Sequence, residues 1–273
     1  MKGIMFVELH DGTELEIEVT GTGPHLLLPV DPVPVVGEAA ETMRTWGADP
    51  ELGRSLIDGL SDVATVVAFP YERHVLTFPK PDTLTPSNVV ADVLAVADAA
   101  GAATFAYYGY SWLACVGLQL ALRTARLSAL VMGGFPPLGG PYDEMLAVTD
   151  AAHRLSQQPS KPVRQVEPGD WSSAEMTLSE EQTCQFVTLY RGLEGFDDRV
   201  SLSPVDYPRI AFSGTEDQIV YAERWGGVTV DMAGPLVDHR AALEEAGWEI
   251  SLFAGLDHNG AMQASQVVPL LRS

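Results

Sequence analysis

The chain has 273 residues, 46% of them apolar, and carries 37 acidic against 16 basic side chains for a formal net charge of −21. That apolar share can bury one large α/β core without help from disulfides or metals. So acidic a surface repels phosphate backbones and anionic lipid, which excludes nucleic acid and membrane as expected partners and disfavours strongly anionic substrates.

Taken in chain order, the opening segment Met1-Lys2-Gly3-Ile4-Met5-Phe6-Val7-Glu8 turns acidic within eight residues, which is wrong for a secretory signal. No apolar run approaches the ~20 residues of a membrane span, so a cytoplasmic location is expected. Ile4 to Leu9 and Leu15 to Val19, around Asp11-Gly12, predict a β-hairpin with a turn-forming dipeptide. His25 to Val30 and Val63 to Pro70 are short continuous apolar runs, the pattern of strands covered on both faces. Thr85-Pro86-Ser87 predicts a helix start, with a capping hydroxyl and proline at the first helical position, and the helix runs from Asn88 to Ala100 before Gly101. Thr104 to Tyr108 is the next strand, followed by Gly109-Tyr110-Ser111 and a helix from Trp112 to about Ala125. That helix is apolar on nearly every face, so it belongs deep in the packing. Leu127 to Gly133, Arg209 to Ser213 and Trp248 to Ala254 are further strands, with helices at Leu236 to Ala246 and Gly260 to Leu271.

Strands alternating with helices after a hairpin predict an α/β fold with a mostly parallel central sheet and helices on both faces. The stretch from Phe135 to Pro204 breaks the rhythm, with prolines, glycines, helical segments and the polar patch Ser156-Gln-Gln-Pro-Ser-Lys161. It is read as an inserted helical lid over the carboxyl edge of the sheet, residues 135–204, between core segments 1–134 and 205–273.

At Gly109-Tyr-Ser-Trp-Leu113 the chain resembles the α/β-hydrolase superfamily, in its serine-nucleophile esterase and lactonase-like branch, over nearly its whole length. The motif sits at a strand-to-helix junction, where that family carries its nucleophile elbow. The resemblance implies Ser111 as nucleophile and the Trp112 N–H as one oxyanion donor at the positive end of its helix. The motif departs from the family pattern at its last position, where Leu113 replaces the usual glycine. A leucine there needs room, supplied either by Ala114 as the close contact or by an altered elbow. Phe212-Ser-Gly-Thr-Glu-Asp217 resembles the loop that delivers the family's acid, at Asp217, with Glu216 as competitor. Ala254-Gly-Leu-Asp-His258 follows the last strand, where the family has its histidine. The order serine, aspartate, histidine, each just after a strand, is that expected for this fold. The residue types answer a chemical need. A hydroxyl is a poor nucleophile until a base takes its proton, an imidazole exchanges protons around neutrality, and a carboxylate fixes its tautomer.

The second oxyanion donor is expected in Pro29-Val30-Asp31-Pro32. The prolines have no N–H, so Val30 is favoured, with Asp31 capping its own loop. Phe69, Tyr110, Trp112 and Phe135 fall at strand ends facing one edge and are candidates for the substrate pocket, core packing being the competing explanation. Cys115 and Cys184 stand in no metal-ligand or redox spacing, Cys115 in an apolar run where it serves packing. No metal and no cofactor is implied. The expected activity is cleavage of a neutral, fairly apolar ester or lactone, a small-molecule substrate, through an acyl-enzyme. A lyase on the same scaffold and a non-catalytic binding protein are the alternatives, since one fold hosts many reactions.

Overall fold

A computed structural model describes residues 2–158 and 176–273. The predicted hairpin is strands β1 (Lys2–Glu8) and β2 (Glu14–Gly21), antiparallel with Met5 opposite Ile17. β3 (His25–Leu28) leads to two helices that the sequence reading did not anticipate, α1 (Glu38–Thr45) and α2 (Leu52–Leu60). β4 (Thr65–Ala68) is followed by a third such helix, α3 (Tyr71–Thr77). α4 (Pro86–Ala99) starts as predicted: the Thr85 hydroxyl accepts the Asn88 N–H at 3.2 Å, with Pro86 in the first turn. β5 (Phe105–Tyr110) runs two residues further than expected and delivers the chain directly into α5 (Trp112–Ala121), before β6 (Leu127–Gly133).

Between β6 and the next strand of the main sheet come α6 (Tyr142–Ser156) and α7 (Glu180–Arg191), an inserted helical segment as expected for a lid. The polar patch predicted at 156–161 lies outside the described residues from 159 onward. β7 (Arg209–Gly214) precedes a small hairpin, β8 (Gln218–Val220) with β9 (Thr229–Asp231). The helix predicted at 236–246 is two short ones, α8 (Gly234–Asp238) and α9 (Arg240–Glu245), divided at His239, whose φ of −102° and ψ of 8° leave helical geometry. After β10 (Trp248–Phe253) the predicted closing helix is likewise divided, into α10 (His258–Ala261) and α11 (Ala264–Leu271), because Gln263 is extended at ψ 141°.

The main sheet has the order β1-β2-β4-β3-β5-β6-β7-β10, antiparallel through β2 and parallel from β4 to β10. Successive residues of a strand face opposite sides, and here both sides are covered. Leu27, Val67 and Tyr107 join the core that includes α4 and α5, whereas Leu28, Val66, Tyr108 and Phe212 pack with Leu56 and Ile57 of α2 and Val267 of α11. Two covered faces are why these strands read as unbroken apolar runs. Cys115 is buried in α5, and burial pushes its thiol up to about 12.

A buried polar network fixes α3 behind the carboxyl edge of the sheet. Asp92 of α4, fully buried, accepts the His10 N–H at 2.7 Å, the His10 ring at 2.9 Å and the Tyr71 hydroxyl at 2.7 Å. Beside it the buried Lys80 ammonium pairs with Asp11. Burial raises the Asp11 pKa, but hydrogen bonds from Lys80 and Thr13 outweigh it and hold the carboxyl at about 2. A carboxyl whose folded pKa is depressed contributes stability above its unfolded pKa and loses it as pH falls toward the folded one. Lys80→Met is therefore expected to cost about 3 kcal/mol at pH 7. Its deficit against wild type should shrink as pH falls from ~4 towards 2. Urea unfolding at pH 7 and pH 3 measures both, and an equal deficit at the two values would remove Asp11 from the account.

Candidate active site

The strand order and crossovers are those of the α/β-hydrolase fold, in which the carboxyl ends of the parallel strands converge on one edge. Ser111 leaves β5 at that edge with φ 56° and ψ −133°, and among the described residues it alone has a positive φ without being glycine. Such backbone strain persists only where the surroundings enforce it. Gly109 is what permits the turn: a Cβ there would lie 2.2 Å from the Leu113 carbonyl oxygen. The elbow's close contact is thus between Gly109 and the backbone of Leu113, while Tyr107 donates its hydroxyl to that same carbonyl at 2.9 Å. Leu113 fits where a smaller residue was expected because it lines a cavity instead of the sheet contact. The Trp112 N–H opens α5, where a helix leaves its first donors without intrahelical partners.

Asp217 follows β7 and is fully buried, whereas Glu216 beside it is exposed. The Asp217 carboxylate lies 2.9 and 3.0 Å from Nδ1 of His258 and accepts the Ser213 hydroxyl at 2.8 Å. His258 opens α10 just after β10. Its ring packs against Tyr110, centroids 4.9 Å apart, and the Tyr110 hydroxyl donates to the His258 carbonyl at 2.7 Å. Gly134, at φ 59°, completes the seat, since a Cβ there would approach the His258 ring to 2.9 Å. With Nδ1 turned to Asp217, the other ring nitrogen is the one available to a substrate or nucleophile.

Ser111 and His258 line the same cavity, of about 710 Å³, together with Val30, Tyr71, Leu113 and Met262. Gln182 of the inserted α7 also lines it and donates to the Leu76 carbonyl at 2.6 Å, while Phe186 meets Trp112 edge-on at 5.5 Å. Of the expected pocket aromatics, Tyr110 and Trp112 line the cavity and Phe69 and Phe135 do not. Phe69 shares the core face with Val67, and Phe135 packs on the Tyr142 ring at 5.4 Å. The Val30 N–H, expected to receive an oxyanion, donates instead to the Leu28 carbonyl at 2.8 Å and is committed within its own loop. Asp31 caps that loop as expected, accepting the Val33 N–H at 3.0 Å, and its charge is met by Arg73 at 2.6 Å. Arg54, held bidentately by Glu18 at 2.9 Å, pins the Pro32 carbonyl at 2.8 Å. Glu72, Arg73 and Gln182 line the cavity unforeseen. The first two lie on a seven-residue helix too short to show periodicity. Among the described residues no group of three His, Cys, Asp or Glu side chains is gathered as metal ligands, and no helix is long and apolar enough to cross a membrane.

The sequence matches no protein-family model and no curated protein. Among solved structures it is similar to a thermophilic esterase from Thermogutta terrifontis, with a TM-score of 0.60 and 14% identity over 100% of this chain and 97% of that one. It is similar also to an epoxide hydrolase from Vigna radiata, with a TM-score of 0.61 and 16% identity over 99% of this chain and 96% of that one. An esterase from Exiguobacterium antarcticum gives a TM-score of 0.57 and 14% identity over 98% of this chain and 99% of that one. At such identities the likeness is one of fold.

Proposed function

We propose that the protein is a serine hydrolase that cleaves a carboxylic ester or lactone of fairly apolar body through an acyl-enzyme. The observation that carries this reading is the strained Ser111, opening into the same cavity as a histidine whose Nδ1 is held by a buried aspartate. In the proposed reaction His258 takes the Ser111 proton as the hydroxyl attacks the carbonyl carbon, and the Trp112 N–H receives the oxyanion. His258 returns the proton to the leaving alcohol, then activates the water that releases the acid. Asp217 orients the imidazole and stabilises its charged form. Because the Val30 N–H is engaged by Leu28, the second oxyanion donor in this reading is the Asp31 N–H. The Arg73 contact draws off the charge that the Asp31 carboxylate would otherwise set against an oxyanion.

A fluorophosphonate probe tests the reading without knowledge of the substrate. It is expected to modify Ser111 and no other serine, because attack on phosphorus needs an activated hydroxyl. Mass spectrometry of the labelled peptide reads the result. Folded protein with Ser111 unmodified would favour a binding protein on a hydrolase scaffold.

A further inference from the structure

Ser111 and His258 reach the cavity from different strands, β5 and β10, and among the described residues no hydrogen bond joins one side chain to the other. Their spacing therefore depends on what ties the elbow to the histidine segment. Asp217 fixes Nδ1 of the ring from the end of β7, and Asn259 ties the next residue to the Trp46 carbonyl at 2.8 Å. Neither bond reaches β5. Among the described residues, the hydrogen bond that does comes from Tyr110, the residue before the nucleophile. Its hydroxyl donates to the main-chain carbonyl of His258 at 2.7 Å.

The ring that carries this hydroxyl is built into place. It packs on Phe212 at 5.9 Å and on the imidazole at 4.9 Å, tilted by 53°. Two consecutive glycines at the end of β6 make its room: a Cβ on Gly133 would lie 2.6 Å from the Tyr110 ring, and one on Gly134 would lie 2.7 Å from it. Burial, and after it the Asp217 charge, hold the phenol well above its ordinary pKa, so the hydroxyl stays a donor around neutrality, where a histidine base works.

We infer that Tyr110 is a positioning residue, which clamps His258 to the strand that carries Ser111 and so sets the reach of the base to the nucleophile. This role rests on the hydrolase reading above, because it matters to a reaction routed through both residues. Tyr110 acts through His258 and touches no reacting atom. Proton transfer needs the heavy atoms within about 3.2 Å of each other, and a displacement of about 1 Å in a catalytic group can cost about a hundredfold in rate.

The experiment compares wild type with Tyr110→Phe, which removes the hydroxyl and keeps the ring, and Tyr110→Leu, which removes both, on 4-nitrophenyl butanoate. In Tyr110→Phe, kcat should fall about tenfold with KM held within about twofold; in Tyr110→Leu it should fall about a hundredfold. A tyrosine with a merely structural role would lower the melting temperature and leave the kcat of the folded protein at the wild-type value. That result, or an unchanged kcat in Tyr110→Phe, overturns the inference. Should Tyr110→Leu fail to fold, Tyr110→Phe decides alone. If wild type turns over no ester and Ser111 stays unlabelled by the fluorophosphonate, it is the hydrolase reading that fails. The clamp is then read by nuclear magnetic resonance of isotope-labelled histidine, through exchange with water of the His258 Nδ1 proton that faces Asp217. Exchange about tenfold faster in Tyr110→Phe upholds the clamp, and equal exchange overturns it.

Discussion

Ser111→Ala is expected to lower turnover of a cleaved ester by about six orders of magnitude, to the level left by the oxyanion donors and binding alone. The magnitude follows from the unit character of the site: without the serine oxygen there is no acyl-enzyme, and the base and its carboxylate have nothing to activate. Alanine keeps the Cβ, so the strained φ of 56° and the packing of the elbow are retained and the effect isolates the oxygen. Substrate binding should change little, which separates loss of chemistry from loss of fold. With a short-chain activated ester, wild type should release one equivalent of alcohol in a burst wherever deacylation is the slower step, and the variant should show none. Near-normal turnover by Ser111→Ala would move the protein to a lyase or substrate-assisted mechanism on the same scaffold.

The parts of this site that could be read from sequence are those fixed by the sheet. Ser111, Asp217 and His258 each follow an apolar strand, and parallel strands deliver their following residues to one edge, where Asp217 meets His258 and Ser111 lines the same cavity as His258. Thr85-Pro86 was legible because a cap is chemistry local to three residues. What escaped is set by loops and by facing surfaces. Val30 was favoured as a donor on the ground that prolines have no N–H, but whether an N–H is free depends on where its loop turns, and this one turns onto Leu28. Phe69 follows the two-residue period from Val67 into the core face, a consequence of alternation that its place at a strand end concealed. α2 does carry a sequence signal, since Leu52, Leu56, Ile57 and Leu60 recur at helical spacing amid polar residues. Glu72 carried none: its place on the cavity wall beside Trp112, 40 residues away in sequence, is set by how α3 packs.

Asp217→Asn is expected to reduce turnover by about four orders of magnitude, and Glu216→Gln by less than about threefold. The two acids are neighbours in sequence and opposite in environment. Asp217 is fully buried, with both oxygens within 3.0 Å of Nδ1 of His258 and one of them accepting the Ser213 hydroxyl. Glu216 is exposed, and its N–H, not its side chain, is tied to Leu256. An asparagine at 217 preserves volume but puts either an amide oxygen or an amide nitrogen against Nδ1. The nitrogen forces the imidazole into the tautomer whose proton faces Ser111, where it cannot accept one. The oxygen holds the right tautomer but leaves the imidazolium of the transition state without a full counter-charge. Both outcomes damage kcat while leaving the cavity that sets substrate affinity in place, so KM should hold as kcat falls. A high-pH recovery of part of the activity is the further mark of a tautomer defect, since hydroxide can then stand in for the misplaced base. If Glu216→Gln proves the more damaging change, the carboxylate that serves His258 in solution is not the one buried behind it.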